Sequence, residues 1–206
     1  MAKDQNKEKA PKVETKKVET PKVEAPKVET PKVETPKVEA PKVETPKKDI
    51  SLVRIELMHP RLRAEVKRLF NYINNEILKG RAKVRITQTL RTNKEQNDLF
   101  ALGRTAPGKI VTFARGGDSF HNYGLAFDIC LIIDGKEASW DTKADYDKDG
   151  VADWMEVVQV FKVHGWTWGG DWKFSDMPHF QKTFGRTIAD LKNITVKEEG
   201  IYPQLY

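Results

Sequence analysis

A proline at nearly every fifth position is the tightest constraint in this sequence. Residues 11–45 read PKVET, KKVET, PKVEA, PKVET, PKVET, PKVEA, PKVET, and seven of the eleven prolines lie between positions 11 and 46. Each ring fixes φ and removes a backbone donor, so no continuous helix can run through the unit. Residues 1–48 carry thirteen Lys against nine Asp plus Glu, no aromatic residue and one Val per repeat. Such a segment buries too little apolar surface to offset its ordering entropy. It is expected to be disordered, extended and rich in polyproline conformation. Tethering or spacing is its expected role, with partner binding through the repeat as the alternative.

Folding therefore falls to residues 49–206, which hold every Trp, Tyr and Phe and are enough for one compact core. Thirteen against nine gives the tail +4 of the net +6 and leaves the domain near +2. That is too weak to argue for a nucleic-acid groove. No run approaches the roughly 18 apolar residues of a membrane span, and MAKDQNKEKA lacks the apolar core of a secretory signal, so synthesis in the cytoplasm is expected. The single Cys130 excludes an internal disulfide and a cysteine zinc site; it lies in an apolar run and reads as a buried thiol.

Within the domain, HPRLRAEVKRLFNYINNEILKG spaces Leu62, Val66, Leu69, Phe70, Ile73 and Ile77 as an amphipathic helix, with Pro60 near its start and Gly80 at its end. AKVRITQTL alternates like a half-buried strand, and NKEQNDLFALG reads as a short helix capped by Asn93. GLAFDICLII predicts a core strand, DWMEVVQVFKVHG a helix closed by Gly165, HFQKTF a strand and TIADLKN a short helix. ITVKEEGIYPQLY is a tail whose apolar residues are expected to dock on the body. Helices and strands without regular alternation predict an α+β fold.

Two of the four histidines stand among glycines and aspartates, in SFHNYGLAFD and WGGDWKFSDMPHFQ. Zinc hydrolases use three protein ligands drawn from His, Asp and Glu and keep a fourth position for a water whose pKa falls to about 7. His121, Asp128 and His179 are the candidates. His121 and Asp128 are seven apart, which would put them on opposite faces of one regular strand. Gly124 relieves this if His121 sits in the approach loop and the strand begins near Leu125. Pro178 biases Met177 to an extended conformation, so Asp176 and His179 fall on a non-helical turn. That arrangement suits Asp176 to general acid–base work beside a metal ligand. His59 and His164 read as structural, the latter as a carbonyl cap.

SFHNYGLAFD fits Ser-x-His-x-x-Gly-x-Ala-x-Asp, and DMPH fits Asp/Glu-x-x-His. In both, the chain resembles the zinc D-alanyl-D-alanine carboxypeptidases and L-alanyl-D-glutamate endopeptidases, a family that includes bacteriophage lysis enzymes. QTLRTNKEQNDLFALGRTAPGKIVT resembles the family segment with an Arg in a strand-to-helix turn followed by Glu-Gln. The resemblance implies that His121, Asp128 and His179 bind zinc, that Asp176 is the acid/base, and that Arg91 holds the substrate carbonyl or its oxyanion. Ser119 would orient a ligand or substrate group. It also implies a small fold whose antiparallel sheet carries the zinc. Trp166, Trp168 and Trp172 crowd the approach to His179; Trp168 and Trp172 are the candidate substrate walls, with core packing as the alternative.

A second metal signal lies in DYDKDGVADWME, where Asp145, Asp147, Asp149 and Glu156 take positions 1, 3, 5 and 12 of an EF-hand loop and Gly150 takes the sharp turn. The Val151 carbonyl and Asp153 would complete an oxygen cage for calcium, against the alternative of a solvated acidic loop. Occupied, the loop would fix the start of the following helix and could tune activity.

The expected function is zinc-dependent hydrolysis of the stem peptide of bacterial peptidoglycan by a monomer. Cleavage between L-Ala and D-Glu is favoured over removal of terminal D-Ala, because HNYGLAFDI and DMPHFQ are most like phage-type members. Access to the wall would then need a separate pore-forming protein, and the basic tail would favour an anionic envelope polymer. A reading from another class is a non-catalytic, metal-stabilised wall-binding module.

Overall fold

The computed structural model describes residues 49–194 together with Tyr202, Pro203 and Leu205. The expectations for the repeat segment lie outside these residues. The described part is α+β, as the element pattern predicts. Its helices are α1 (Ile50–Ile55), α2 (Pro60–Tyr72), α3 (Asn93–Ala101), α4 (Asp153–Val163) and α5 (Ile188–Asn193). Its strands are β1 (Ala82–Gln88), β2 (Ala126–Ile133), β3 (Glu137–Ser139), β4 (Thr167–Trp168) and β5 (His179–Gln181).

The sheet runs β1-β2-β5-β4 with every pairing antiparallel, and β3 joins β2 beyond the end of β5. β2 is therefore central, and its residues are buried apart from a half-buried Asp128. Register decides what the sheet presents, because side chains alternate along a strand. Asp128 pairs with His179, and Phe127 with Phe180. The two polar residues share one face, while the two rings stack on the other at 5.3 Å between centroids. Phe161 of α4 packs on both rings, at 4.9 and 5.2 Å. The aromatic layer that buries α4 thus also fixes the spacing of Asp128 and His179.

Local chemistry differs from the sequence expectation at three places. The amphipathic helix starts at Pro60, with the His59 ring accepting from the Arg61 amide at 3.3 Å. It ends at Tyr72, and a π-turn continues over Ile73–Ile77. Gly80 is not its cap: a Cβ there would lie 2.5 Å from Asp147 Cβ, so the glycine admits the acidic loop. The cap of α3 is Thr92, not Asn93, in a reciprocal box with Glu95. α1, capped by Asp49, is an additional element with no counterpart in the sequence reading.

Of the C-terminal tail expected to dock, Tyr202, Pro203 and Leu205 do so, and residues 195–201, 204 and 206 lie outside the described residues. Leu205 and Pro203 are buried, the Tyr202 hydroxyl donates to the Leu57 carbonyl at 2.8 Å, and His59 Nε2 donates to the Pro203 carbonyl at 3.0 Å. With its other nitrogen on Arg61, His59 is a satisfied neutral imidazole whose pKa burial lowers. His164 likewise bonds the Val160 carbonyl, and Cys130 is a buried free thiol whose pKa burial raises.

Candidate metal centre and its cleft

His121 lies in a short 3-10 turn, Phe120–Tyr123, that ends at Gly124 in the left-handed region with φ 65°. The turn breaks strand alternation between His121 and Asp128, so both point to one place. Gly124 is required twice over, because a Cβ there would also lie 2.7 Å from the His59 amide. Ser119 accepts from the His121 amide at 3.3 Å, and Asn122 binds the Gly117 and Ser119 amides and the Arg91 carbonyl. Ser119 thus acts on the backbone that carries His121, and it also lines the cleft.

Three acceptor atoms form a nearly equilateral triangle. His121 Nε2 is 3.2 Å from Asp128 Oδ1 and 3.2 Å from His179 Nδ1, and His179 Nδ1 is 3.3 Å from Asp128 Oδ1. A tetrahedral ion with ligands at about 2.0–2.1 Å sets its ligand atoms about 3.3 Å apart. The remaining ring nitrogens are engaged: His121 Nδ1 donates to the Thr89 carbonyl at 2.7 Å, and His179 Nε2 to Gln181 Oε1 at 3.0 Å. Those bonds assign each neutral ring a lone pair facing the triangle. Three lone-pair donors so placed repel one another unless a cation sits between them.

Burial disfavours charge on both Asp128 and His179, yet the two histidines hold Asp128 below the ordinary carboxylate range, and Asp128 raises His179. His121 and His179 are buried, so little water screens the cluster.

The triangle opens into a cleft of about 600 Å³ that Arg91 and Asp176 also line. Arg91 follows a register shift in β1 between Ile86 and Gln88, which turns the chain toward the site. Its Nη1 donates to Gln96 Oε1 at 2.8 Å, and Nη2 stands 3.6 Å from Asp128 Oδ2. Its Nε is buried without a partner among the described residues. Burial lowers its pKa, against the pull of Asp128, Glu95 and Asp176. Asp176 does not join the triangle. It is an exposed residue on the cleft rim whose inner flank is crowded, and that crowding raises its pKa, with Asp128 adding to the rise.

The tryptophans separate. Trp172 is 37% exposed, lines the cleft and places its ring 5.2 Å from His179. Trp168 is not a cleft wall: it is buried and donates to the Met177 carbonyl at 2.7 Å, bracing the turn before His179. Trp166 is buried against Phe127 and donates to Glu65 at 3.0 Å. The opposite rim has Val111 and the 86% exposed Phe113.

Sequence reasoning missed Thr89, Gln96 and Gln181 as supports. Gln96 is fully buried and joins Arg91 to the Ala114 carbonyl. Gln181 fixes the His179 tautomer, so Gln181→Leu is expected to weaken zinc about 10–100-fold. Competition with a chromophoric chelator reads this directly, and an unchanged affinity contradicts the tautomer argument.

The acidic loop also assembles. Carboxylate oxygens of Asp145, Asp147 and Asp153 lie within 4.8 Å of one another, as do those of Asp147, Asp149 and Glu156. Burial, reinforced by repulsion from Asp149, Asp147, Asp153 and Asp145, pushes Glu156 up to about 7.

Parts of the chain are similar to known proteins. A sequence family described as D-alanyl-D-alanine carboxypeptidase matches residues 113–182. The peptidoglycan L-alanyl-D-glutamate endopeptidase CwlK of Bacillus subtilis is 50% identical over 97 residues, 47% of this chain. The match spans 58% of that relative, less than two thirds of its length. The crystal structure of the Serratia marcescens L-Ala D-Glu endopeptidase ChiX superposes with a TM-score of 0.43 at 26% identity, over 65% of this chain and 86% of that one. The stretch matched by that family, residues 113–182, contains all three corners of the triangle and Asp176.

Proposed function

We propose that the protein is a zinc peptidase that cleaves the stem peptide of bacterial peptidoglycan between L-Ala and D-Glu. The observation that carries the chemistry is the triangle of lone-pair donors, opening into a cleft that also holds a carboxylate and a guanidinium. The choice of bond is supported by the 50% identity to CwlK.

His121, Asp128 and His179 would hold the metal, and their spacing suits zinc. Bound zinc supplies a Lewis acid and lowers the pKa of a water toward 7. Asp176 takes a proton at its carboxylate and returns it to the leaving amine, and its crowded flank brings it closer to the working pH than an ordinary aspartate. Arg91 faces the same space as a fixed cation, aimed by Gln96, and donates to the scissile carbonyl as its oxygen gains charge. Phe113 and Trp172 form apolar lips for the peptide.

Gly169 sets the Asp176 turn. Its carbonyl accepts from the Asp176 amide at 3.0 Å, and a Cβ on it would come within 2.4 Å of the Asp176 carbonyl oxygen. Gly169→Ala is expected to lower kcat by about 100-fold, the scale of an ångström-sized misplacement. Wild-type kcat in that variant contradicts the positioning.

Defined muropeptides that contain both bonds test the specificity. New D-Glu amino termini support the endopeptidase. Release of D-Ala alone would assign the carboxypeptidase activity instead.

A further inference from the structure

We propose that the Asp145–Glu156 loop is a calcium site, separate from the zinc triangle and joined to it through α4. Its ligands would be carboxylates of Asp145, Asp147, Asp149, Asp153 and Glu156 with the Val151 carbonyl. The proposal goes beyond the peptidase reading and does not depend on it.

Acidic residues in a surface loop do not by themselves make a site, since water can solvate them. Here two oxygens are out of its reach. Asp153 is fully buried; its Oδ2 accepts from the Tyr146 amide at 2.6 Å, and its Oδ1 is buried with no partner among the described residues. Glu156 Oε2 is likewise buried and unpartnered. A buried carboxylate oxygen without a donor is costly unless a cation meets it. Asp153 belongs to one of the two carboxylate groups and Glu156 to the other, and the groups share Asp147, so both buried carboxylates stand beside the loop aspartates.

The dimensions suit calcium. Oxygens bound at about 2.3–2.6 Å lie up to about 5 Å apart across the ion, and each group falls within 4.8 Å. No His or Cys contributes, which disfavours zinc. Magnesium requires about 2.0–2.1 Å and near-octahedral order, which suits it less well to many carboxylates on one loop. The loop is also anchored: the Lys79 amide donates to Asp147 Oδ2 at 3.3 Å, beside the position where Gly80 leaves room.

Asp153 and Glu156 occupy the first turn of α4, and Phe161 near its other end packs on Phe127 and Phe180, the neighbours of two zinc ligands. Calcium would hold the start of the helix that supports the sheet beneath the triangle.

Calorimetric titration of calcium chloride into the zinc-loaded full chain tests this, with thermal melting alongside. One saturable site with Kd between about 10⁻⁶ and 10⁻³ M is expected. Melting should rise by about 5–10 °C at a hundredfold excess over Kd. Glu156→Gln should weaken binding about tenfold or more, because position 12 supplies two oxygens. His121→Ala should keep the calcium response while losing zinc, which separates this site from the triangle. If Glu156→Gln does not fold, terbium luminescence sensitised by Tyr146 and Trp154 in the unaltered chain, displaced by calcium, reads the same site. Absence of heat and of a melting shift overturns the proposal, as does a response that survives Glu156→Gln and disappears in His121→Ala.

Discussion

Asp176→Ala is expected to retain one zinc per chain and to lose about 10²–10⁴-fold in kcat, the range that a positioned general acid–base supplies. Two features separate the effects. Asp176 lies outside the ligand triangle, so its removal leaves all three donors in place. It is also exposed at the rim, so truncation opens no core cavity and the fold should melt as before. Metal analysis and turnover on the same preparation make the comparison. Loss of zinc together with activity would make Asp176 part of the metal's support. Full turnover would require another base.

His121→Ala should behave in the opposite way, losing the metal first. It removes one corner of a three-ligand site, so zinc affinity should fall by more than the roughly 10–100-fold expected of an outer partner such as Gln181. Turnover should drop to background at any zinc concentration the protein tolerates. The substitution also leaves the Thr89 carbonyl without its 2.7 Å partner and opens space beside a buried His179. Circular dichroism should therefore accompany metal analysis. A folded variant with full zinc and wild-type turnover contradicts the assignment of the centre.

These two variants draw on residues whose place was legible in the sequence. SFHNYGLAFD and DMPH place His121, Asp128, Asp176 and His179 on short local segments, where glycine and proline dictate how the chain bends. Gly124 does adopt the left-handed turn that reconciles a seven-residue spacing with a common focus. What could not be read were supports that depend on partners far along the chain. His121 is held by Thr89, 32 positions away, and Gln96 reaches Ala114 across 18. Gln181 is only two residues from His179, but its role follows from the direction in which the Nε2 edge points. The tryptophans show the same limit: β4 is two residues long and ends in a 3-10 turn, too short for periodicity to say that Trp168 turns inward and Trp172 outward. Thr92 displaced Asn93 as the cap because its partner Glu95 stands three residues on.

The fold explains why a small domain can hold such a centre rigidly. Asp128 and His179 are cross-strand neighbours, and their backs are stacked phenylalanines under α4. Movement of one ligand relative to the other would unstack the core.

The central claim is tested most directly by digesting purified peptidoglycan with the protein and counting new amino termini by mass spectrometry. The digestion is run with a chelator and then with zinc restored. New D-Glu termini that vanish with the chelator and return with zinc are the predicted result. Termini that persist in protein stripped of zinc would contradict the metal-centred account, as would their absence from walls of several stem-peptide types digested with zinc-loaded protein.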